Sequence, residues 1–520
     1  MKGTLRYQVE GRTVEKEVNY IPVRFILAIV LAILETAAVI AAVMACSYYI
    51  PYFYLLVWAT EIAVVIKIIA SDDNPDYKIP WLMVVLLIPV AGFMMYFLFY
   101  DRKLQKRFVR RMDAMKSIGY KPDDSRLFGG LAEESLEAHN QAKMLCNISE
   151  SHLYSDTKQE YFPLGEEMFA RLLEDLRSAE KFIFMEYFII EEGHFWNSIL
   201  DILKEKAASG VEAKVVYDDI GCMMTLPGDY FRQLQKFGID ATPFSALKGN
   251  ADSEFNNRSH RKITVIDGKI GYTGGVNIAD EYINEVERFG HWKDVGLRLE
   301  GDAVKELTNL FLIDYGINVR KMPEQKHDYF PEYAVPEAGY LIPFGDGPAP
   351  IYNHRVGKSV IQNMLNQADQ YMYIMSPYLI IDNELCQAIE DAALRGVTVK
   401  LILPHIPDKK IVFEMAQSYY HRLMAAGVEV YEYEPGFVHA KVYLADDEYA
   451  MVGTINLDYR SLVHHFENGV WMYRCECLTD IKKDFADTLS KCIRIDEAKI
   501  KWTLPQRFLR AVLKVFAPML

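Results

Sequence analysis

The sequence predicts an α/β protein: two pseudo-twofold-related sandwich domains, each a mixed sheet flanked by helices, behind an N-terminal transmembrane helical region. Three observations predict it. A short pattern beginning His-x-Lys occurs twice, at His260 and at His439, with identical downstream intervals. A strand–helix–glycine–strand order also occurs twice, ahead of each copy. Long apolar runs crowd residues 25 to 99 of a chain that is 51% hydrophobic. At 520 residues the chain exceeds the size at which one core keeps growing, so at least two core-forming units are expected.

Residues 1–20 form an N-terminal tail carrying Lys2, Arg6, Arg12 and Lys16. Residues 21–100 are the transmembrane region, with apolar stretches at Phe25–Met44, Tyr52–Ile69 and Trp81–Phe99. The last has no charge in 19 residues, enough to cross a hydrocarbon core of about 30 Å at about 1.5 Å per residue. Pro89 is expected to kink it, as membrane helices tolerate. Glu35 interrupts the first stretch, and Glu61 and Lys67 the second. A mid-membrane carboxylate costs about 2.5–3.5 kcal/mol on insertion scales, which apolar neighbours can offset. Arg102, Lys103, Lys106, Arg107, Arg110 and Arg111 follow directly, and the positive-inside rule then puts the large C-terminal region on the cytoplasmic side. The basic tail favours that side too. Both ends inside need an even number of crossings, so two or three spans both stay open.

Residues 101–150 read as a charged helical connector. In the first domain, 151–330, Lys181–Met185 is a buried strand, Phe195–Ser209 a helix, Gly210 its cap and Glu212–Tyr217 the next strand. The second domain, 331–500, repeats the order with Tyr371–Met375, Leu385–Leu394, Gly396 and Thr398–Leu403. Strands alternating with helices predict a sheet covered on both faces. Pro323, Pro331 and Pro336 mark the boundary between the domains. Residues 501–520 form an amphipathic C-terminal helix, with Phe508, Leu509, Val512, Leu513 and Phe516 on one stripe and Arg507, Arg510 and Lys514 towards the other face. A place in the membrane interface and packing against the globular body are both consistent with that pattern.

Net charge is −14, from 57 basic and 71 acidic residues, which argues against a nucleic-acid partner. Seven cysteines are an odd number, and Cys475-x-Cys477 lacks zinc-knuckle spacing, so free thiols in a reducing compartment are expected. No metal-ligand cluster is visible, and neither metal nor cofactor is expected.

The chemistry lies in the repeat. Its first copy is His260-Arg-Lys262, four residues, Asp267, six residues, then Gly274-Gly275-Val276-Asn277. Its second is His439-Ala-Lys441, four residues, Asp446, six residues, then Gly453-Thr454-Ile455-Asn456. A His and a Lys two apart on a strand share a face. Each copy thus offers a titratable imidazole beside a cation, which suits a phosphate. A two-step displacement needs two proton-handling groups, so the half-sites are expected to meet across a pseudo-twofold interface. There Lys262, Lys441, Asn277 and Asn456 would grip the phosphodiester. Asp267 and Asp446 join the catalytic set by spacing. A strand residue five beyond the lysine also lies about 16 Å away, which suits a structural part.

These residues resemble the phospholipase D superfamily, and within it the bacterial cardiolipin synthase family. The likeness extends to Phe184-Met-Glu-Tyr187, Val215-Val-Tyr-Asp-Asp219, Asn277-Ile-Ala-Asp-Glu-Tyr282 and Trp292-Lys-Asp294. It continues in Ser376-Pro-Tyr378, Leu401-Ile-Leu-Pro404, Asn456-Leu-Asp-Tyr-Arg-Ser461 and Phe466-Glu467. The resemblance implies metal-free transfer of a phosphatidyl group from one phosphatidylglycerol to another, through a phosphohistidine, giving cardiolipin and glycerol. It implies His260 as nucleophile, His439 as acid and base, and Asp294 and Glu467 as the carboxylates that orient them. The implied partners are phosphatidylglycerol and membrane lipids; a homo-oligomer is compatible with this reading. The implied location is the bacterial plasma membrane, multi-pass, with the catalytic domains cytoplasmic. One departure stands out: where the family often has Gly-Ser, this chain has Gly274-Gly275 and Gly453-Thr454, so the first half lacks a hydroxyl. A lipid hydrolase or head-group exchange enzyme shares the same site chemistry and differs in acceptor. A non-catalytic membrane scaffold is opposed by the intact pairs, and a nuclease by the acidic charge.

Overall fold

In the computed structural model the described residues are 2–9, 12–19, 52–88, 90–97, 106–245, 257–319, 327–496 and 502–519, with scattered positions between 30 and 48. Two sheets organise the body. The first has seven strands in the order Thr157–Phe162, Gly296–Gly301, Ile270–Gly274, Lys262–Ile266, Phe182–Tyr187, Glu212–Asp218, Asp240–Phe244. The second runs Tyr340–Asp346, Glu467–Tyr473, Tyr449–Gly453, Val442–Ala445, Tyr371–Met375, Thr398–Pro404, Glu429–Tyr433, and adds Cys492–Arg494 at its edge. Each motif strand is antiparallel to its neighbours, and the next two pairings are parallel. The sequence duplication is thus a duplication of topology.

The parallel strands are buried along their length, as in Phe182–Tyr187, because helices cover both faces of the sheet. His194–Ala208 and Asn383–Leu394 are the crossover helices, and each ends at a glycine with left-handed backbone, Gly210 at φ 93° and Gly396 at φ 99°. An L side chain there would be strained, so the chain turns back at matched positions.

Asp267 and Asp446 occupy the hairpin turns after the motif strands, at φ 53° and 54°. Asp267 accepts the backbone N–H groups of Glu180, Lys181 and Phe182 at 2.8, 2.7 and 2.8 Å. Asp446 accepts those of Asp369, Gln370 and Tyr371 at 2.7, 2.9 and 2.8 Å. Each carboxylate therefore ties a turn to the start of the neighbouring strand, at the end of the motif strand remote from the imidazole. This corrects their grouping with the catalytic residues. Asp267→Ala strands three N–H groups, so we expect a loss of about 3 kcal/mol in denaturant unfolding. Asp267→Asn, which keeps an acceptor, should cost less; equal unfolding midpoints for wild type and Asp267→Ala would contradict the clamp.

The core does not divide by half. One apolar cluster runs from the connector helices (Phe108, Leu145) through Phe184 and Phe311 to Phe344 and Trp471 in the second half. A second cluster, with Leu172, Phe195, Trp196 and Tyr217, belongs almost wholly to the first half. Among the described residues these are the two large apolar clusters, and the halves share the larger one.

At the N-terminal side stand helices Phe53–Ala70, Pro75–Leu87 and Ala91–Met95. The stretch Trp81–Phe99, expected as one span, is broken: the helix stops at Leu87 and resumes at Ala91. Pro89 has no N–H to give the carbonyl of Val85, which favours a break there. Among the described residues, no helix is long and apolar enough to cross a membrane. Most of Phe25–Met44 lies outside the described residues. The C-terminal helix forms at Leu504–Phe516 with a Thr503–Gln506 capping box. Its inward residue is Arg510, whose guanidinium donates to Glu414 at 2.6 Å and to Gln417 at 2.8 Å; of the apolar stripe, Leu513 packs against the body while Phe508 and Leu509 stay exposed.

Candidate active site

Each motif is delivered into the site by the other half. The N–H of Phe466 donates to the carbonyl of Arg258 at 2.9 Å, and the N–H of His260 donates to the carbonyl of Phe466 at 2.8 Å. Symmetrically, Gly436–Val438 runs parallel to His291–Lys293, and the N–H of His439 donates to the carbonyl of Lys293 at 2.7 Å. The residue after the carbonyl that receives each histidine N–H is a carboxylate. Glu467, from the second half, places Oε2 2.9 Å from Nδ1 of His260 in the first. Asp294, from the first half, places Oδ2 2.6 Å from Nδ1 of His439 in the second. The half-sites exchange their orienting groups.

The lysines complete the pair. Lys262 Nζ donates to the carbonyl of His260 at 2.7 Å, and Lys441 Nζ lies 2.8 Å from Nδ1 of His439. All six side chains are buried. Burial, reinforced by the neighbouring lysines, pushes His260 well below the ordinary imidazole range and His439 down to about 4. Burial also lowers Lys262 to about 7 and Lys441 to about 8. The carboxylates differ. Burial lifts Glu467 to about 7 against the pull of Lys262. It opposes ionisation of Asp294 as well, but His439 and Lys441 outweigh it and hold Asp294 below the usual carboxylate value.

A pH dependence follows from the lysines. Each loses its charge as pH rises through its lowered value, and an anionic substrate loses that attraction. We expect kcat/KM to fall as pH rises above about 7, and more steeply above about 8, in the free enzyme. A profile flat from roughly pH 6 to 10 would contradict the lysines' part in binding.

The two asparagines are not equivalent. Asn277 accepts the N–H of Ile189 on Oδ1 at 3.1 Å and donates from Nδ2 to the Tyr282 hydroxyl at 2.8 Å, so its amide is already engaged. Asn456 receives no such bond on Oδ1, which is buried without a partner among the described residues. The glycine–hydroxyl difference has a steric cause. A Cβ at Gly275 would lie 1.9 Å from Oδ1 of Asp294, so no side chain fits. At the matching position Thr454 donates its hydroxyl to Glu467.

Thr454 and Ser461 stood in the motif region, but the sequence did not show that they and His465 surround Glu467. Ser461 donates to Oε1 at 2.6 Å. The His465 ring lies 5.6 Å from that of His260. Their presence in the Thr454–Glu467 segment was the available signal. His260, His465 and Glu467 also form a group whose ligand atoms lie within 4.8 Å of one another, so the fold assembles a metal-ligand constellation that was invisible in the sequence. The charge of Lys262, felt by both histidines, opposes a divalent cation there. Tyr187 and Tyr378 are committed to the body, the first to the Thr264 hydroxyl at 2.7 Å and the second to Asp408 at 2.7 Å.

Two imidazoles, each held through Nδ1 by a buried carboxylate and flanked by lysines, are equipped for displacement at a phosphodiester. Comparison with known proteins agrees. The family described as cardiolipin synthase, PLD-like domain, matches residues 172–289 and 361–489, and the phospholipase D-nuclease N-terminal family matches residues 62–99. An uncharacterised protein of Streptococcus mutans is 42% identical over 468 residues, 88% of this chain and 99% of its own. A cardiolipin synthase of Halalkalibacterium halodurans is 30% identical over 481 residues, 90% of this chain and 94% of its own. The crystal structure of phosphatidylserine synthase from Haemophilus influenzae shares the fold, with a TM-score of 0.56 at 16% identity over 73% of this chain and 97% of its own.

Proposed function

Because the chain belongs to the cardiolipin synthase family of the phospholipase D superfamily, we propose that it transfers a phosphatidyl group between two phosphatidylglycerols. The observation that carries this reading is the paired His–Lys site with exchanged carboxylates. In the first step His260 attacks phosphorus. Its Nδ1 is committed to Glu467, so Nε2 is the attacking nitrogen. The P–O bond to the head-group glycerol breaks, and His439, whose protonated form the bound phosphodiester anion favours over its low value in the free enzyme, supplies the proton that leaves with it. In the second step His439 takes the proton from the glycerol hydroxyl of another phosphatidylglycerol. That oxygen displaces His260 from phosphorus, giving cardiolipin and the free enzyme. Lys262 and Lys441 offset the charge that builds on the phosphoryl oxygens, with Asn456 as a further contact.

The unequal carboxylates support this division of labour. Asp294 stays ionised beside His439 and stabilises its imidazolium, as an acid–base group requires. His260, neutral against a carboxyl that resists ionisation, keeps its lone pair for attack. The reading includes membrane attachment through the N-terminal helices, with the catalytic halves on the cytoplasmic side, supported by the apolar stretches and the basic residues that follow them.

The test is a lipid analysis of purified protein given labelled phosphatidylglycerol. Cardiolipin with one released glycerol per turnover is the expected result. Phosphatidic acid as the sole product would make water the acceptor and the protein a hydrolase.

A further inference from the structure

The C-terminal helix Leu504–Phe516 is pinned to the body by Arg510 and, along one edge, by Leu513. Arg510 reaches Glu414 and Gln417 and stacks on Trp502 at 4.1 Å. The outward side is apolar: Leu504 is 80% exposed, Phe508 73% and Leu509 51%. Orienting a helix this way leaves large apolar side chains in contact with water unless something covers them. Ile411 adds to the surface from the helix that receives Arg510, at 60% exposure.

Charge identifies the cover. The whole chain is at −14, yet residues 501–520 hold Lys501, Arg507, Arg510 and Lys514 and no acidic residue. Arg507 and Lys514 are exposed on the helix itself, and Lys410 is exposed at the start of the helix that receives Arg510. Apolar residues interspersed with cations suit a surface of anionic phospholipid and match a helix lying in the interface.

The helix also sits beside the N-terminal helix Pro75–Leu87 and the segment that leads to the site residue His465. Leu513 and Ala517 pack with Tyr77 of helix Pro75–Leu87, and with Met415 and Tyr459. Asp76 on the same N-terminal helix accepts the N–H of Asn383 at 2.7 Å. Tyr77 lies 6.5 Å, ring to ring, from His464, the neighbour of His465 in the site. Ile79, Leu86 and Leu87 of that helix are exposed too. We propose that the Leu504–Phe516 helix lies in an anionic bilayer surface beside helix Pro75–Leu87 and turns this side of the second half towards the lipid. The choice of a lipid surface rests on the phosphatidyl-transfer reading.

Full-length protein in nanodiscs of phosphatidylcholine and phosphatidylglycerol tests it without requiring turnover. A fluorophore on Phe508→Cys, and separately on Leu504→Cys, should be quenched by doxyl-labelled lipid and shielded from iodide. Phe237→Cys, on the first half, should behave oppositely. Iodide quenching at 504 and 508 with no effect of doxyl lipid overturns the proposal, even if the enzyme makes cardiolipin. Replacing Leu504, Phe508 and Leu509 together by serine should raise the apparent KM on vesicles about tenfold. Turnover of dispersed short-chain phosphatidylglycerol should be unchanged; an equal loss on both substrates would show a merely structural helix. Lipid quenching in a protein that yields only phosphatidic acid would uphold the docking while the synthase reading fails.

Discussion

Alanine at His260 or at His439 abolishes cardiolipin formation, with an expected loss of at least about 10⁴-fold in either variant, because neither step proceeds without both imidazoles. The variants separate when the leaving group needs no acid. With a phosphatidyl donor carrying a nitrophenol head group, His439→Ala should still release one equivalent of nitrophenol as the phosphatidyl group lodges on His260. His260→Ala should show no burst, since the attacking nitrogen is gone. The buried carboxylates make this asymmetry an expectation: His260 faces a Glu467 lifted to about 7, whereas His439 faces an ionised Asp294. A burst in His260→Ala with none in His439→Ala would reverse the two parts.

The second large effect tests the exchange of carboxylates between halves. Glu467→Gln and Asp294→Asn should each lower turnover by about 10²–10⁴-fold, in line with the loss when a histidine's carboxylate partner becomes an amide in the serine-protease triad. Their signatures should differ. Glu467→Gln misorients His260 and should slow the nitrophenol burst itself. Asp294→Asn disturbs His439, so the burst should persist while transfer to the acceptor slows. If each carboxylate served the histidine of its own half, the two signatures would be interchanged. Stopped-flow release of nitrophenol and labelled cardiolipin formation, measured on the same preparations, decide between the pairings.

The duplication was legible because chemistry at phosphorus demands particular side chains at particular spacings. His260, Lys262, His439 and Lys441 were identifiable for that reason, and so was the strand–helix–glycine–strand repeat, since Gly210 and Gly396 stand where only left-handed backbone ends the helix. Asp267 and Asp446 show the limit of motif reading. Their spacing is as regular as that of the histidines, yet the regularity serves three backbone N–H groups at a strand end. A repeated pattern records whatever must be repeated, structural clamp and catalytic group alike.

Asp294 and Glu467 were named as orienting groups from the sequence, but which histidine each serves was not legible. Local pairs such as His260 and Lys262 are set over three residues of chain at the start of the motif strand, which begins at Lys262. The bond between His260 and Glu467 spans 207 positions and exists because Phe466 is hydrogen-bonded to the lead-in of the first motif. The cluster of His260, His465 and Glu467 and the collision that keeps Gly275 bare arise in the same way, from segments distant in sequence. The sequence by itself determined the two-half α/β architecture, the phosphate-handling pairs and the amphipathic character of the last helix, because these depend on residue type and short-range period. Only the tertiary structure decided the crossed carboxylates and the outward apolar face of Leu504–Phe516, because these depend on what packing brings against each element.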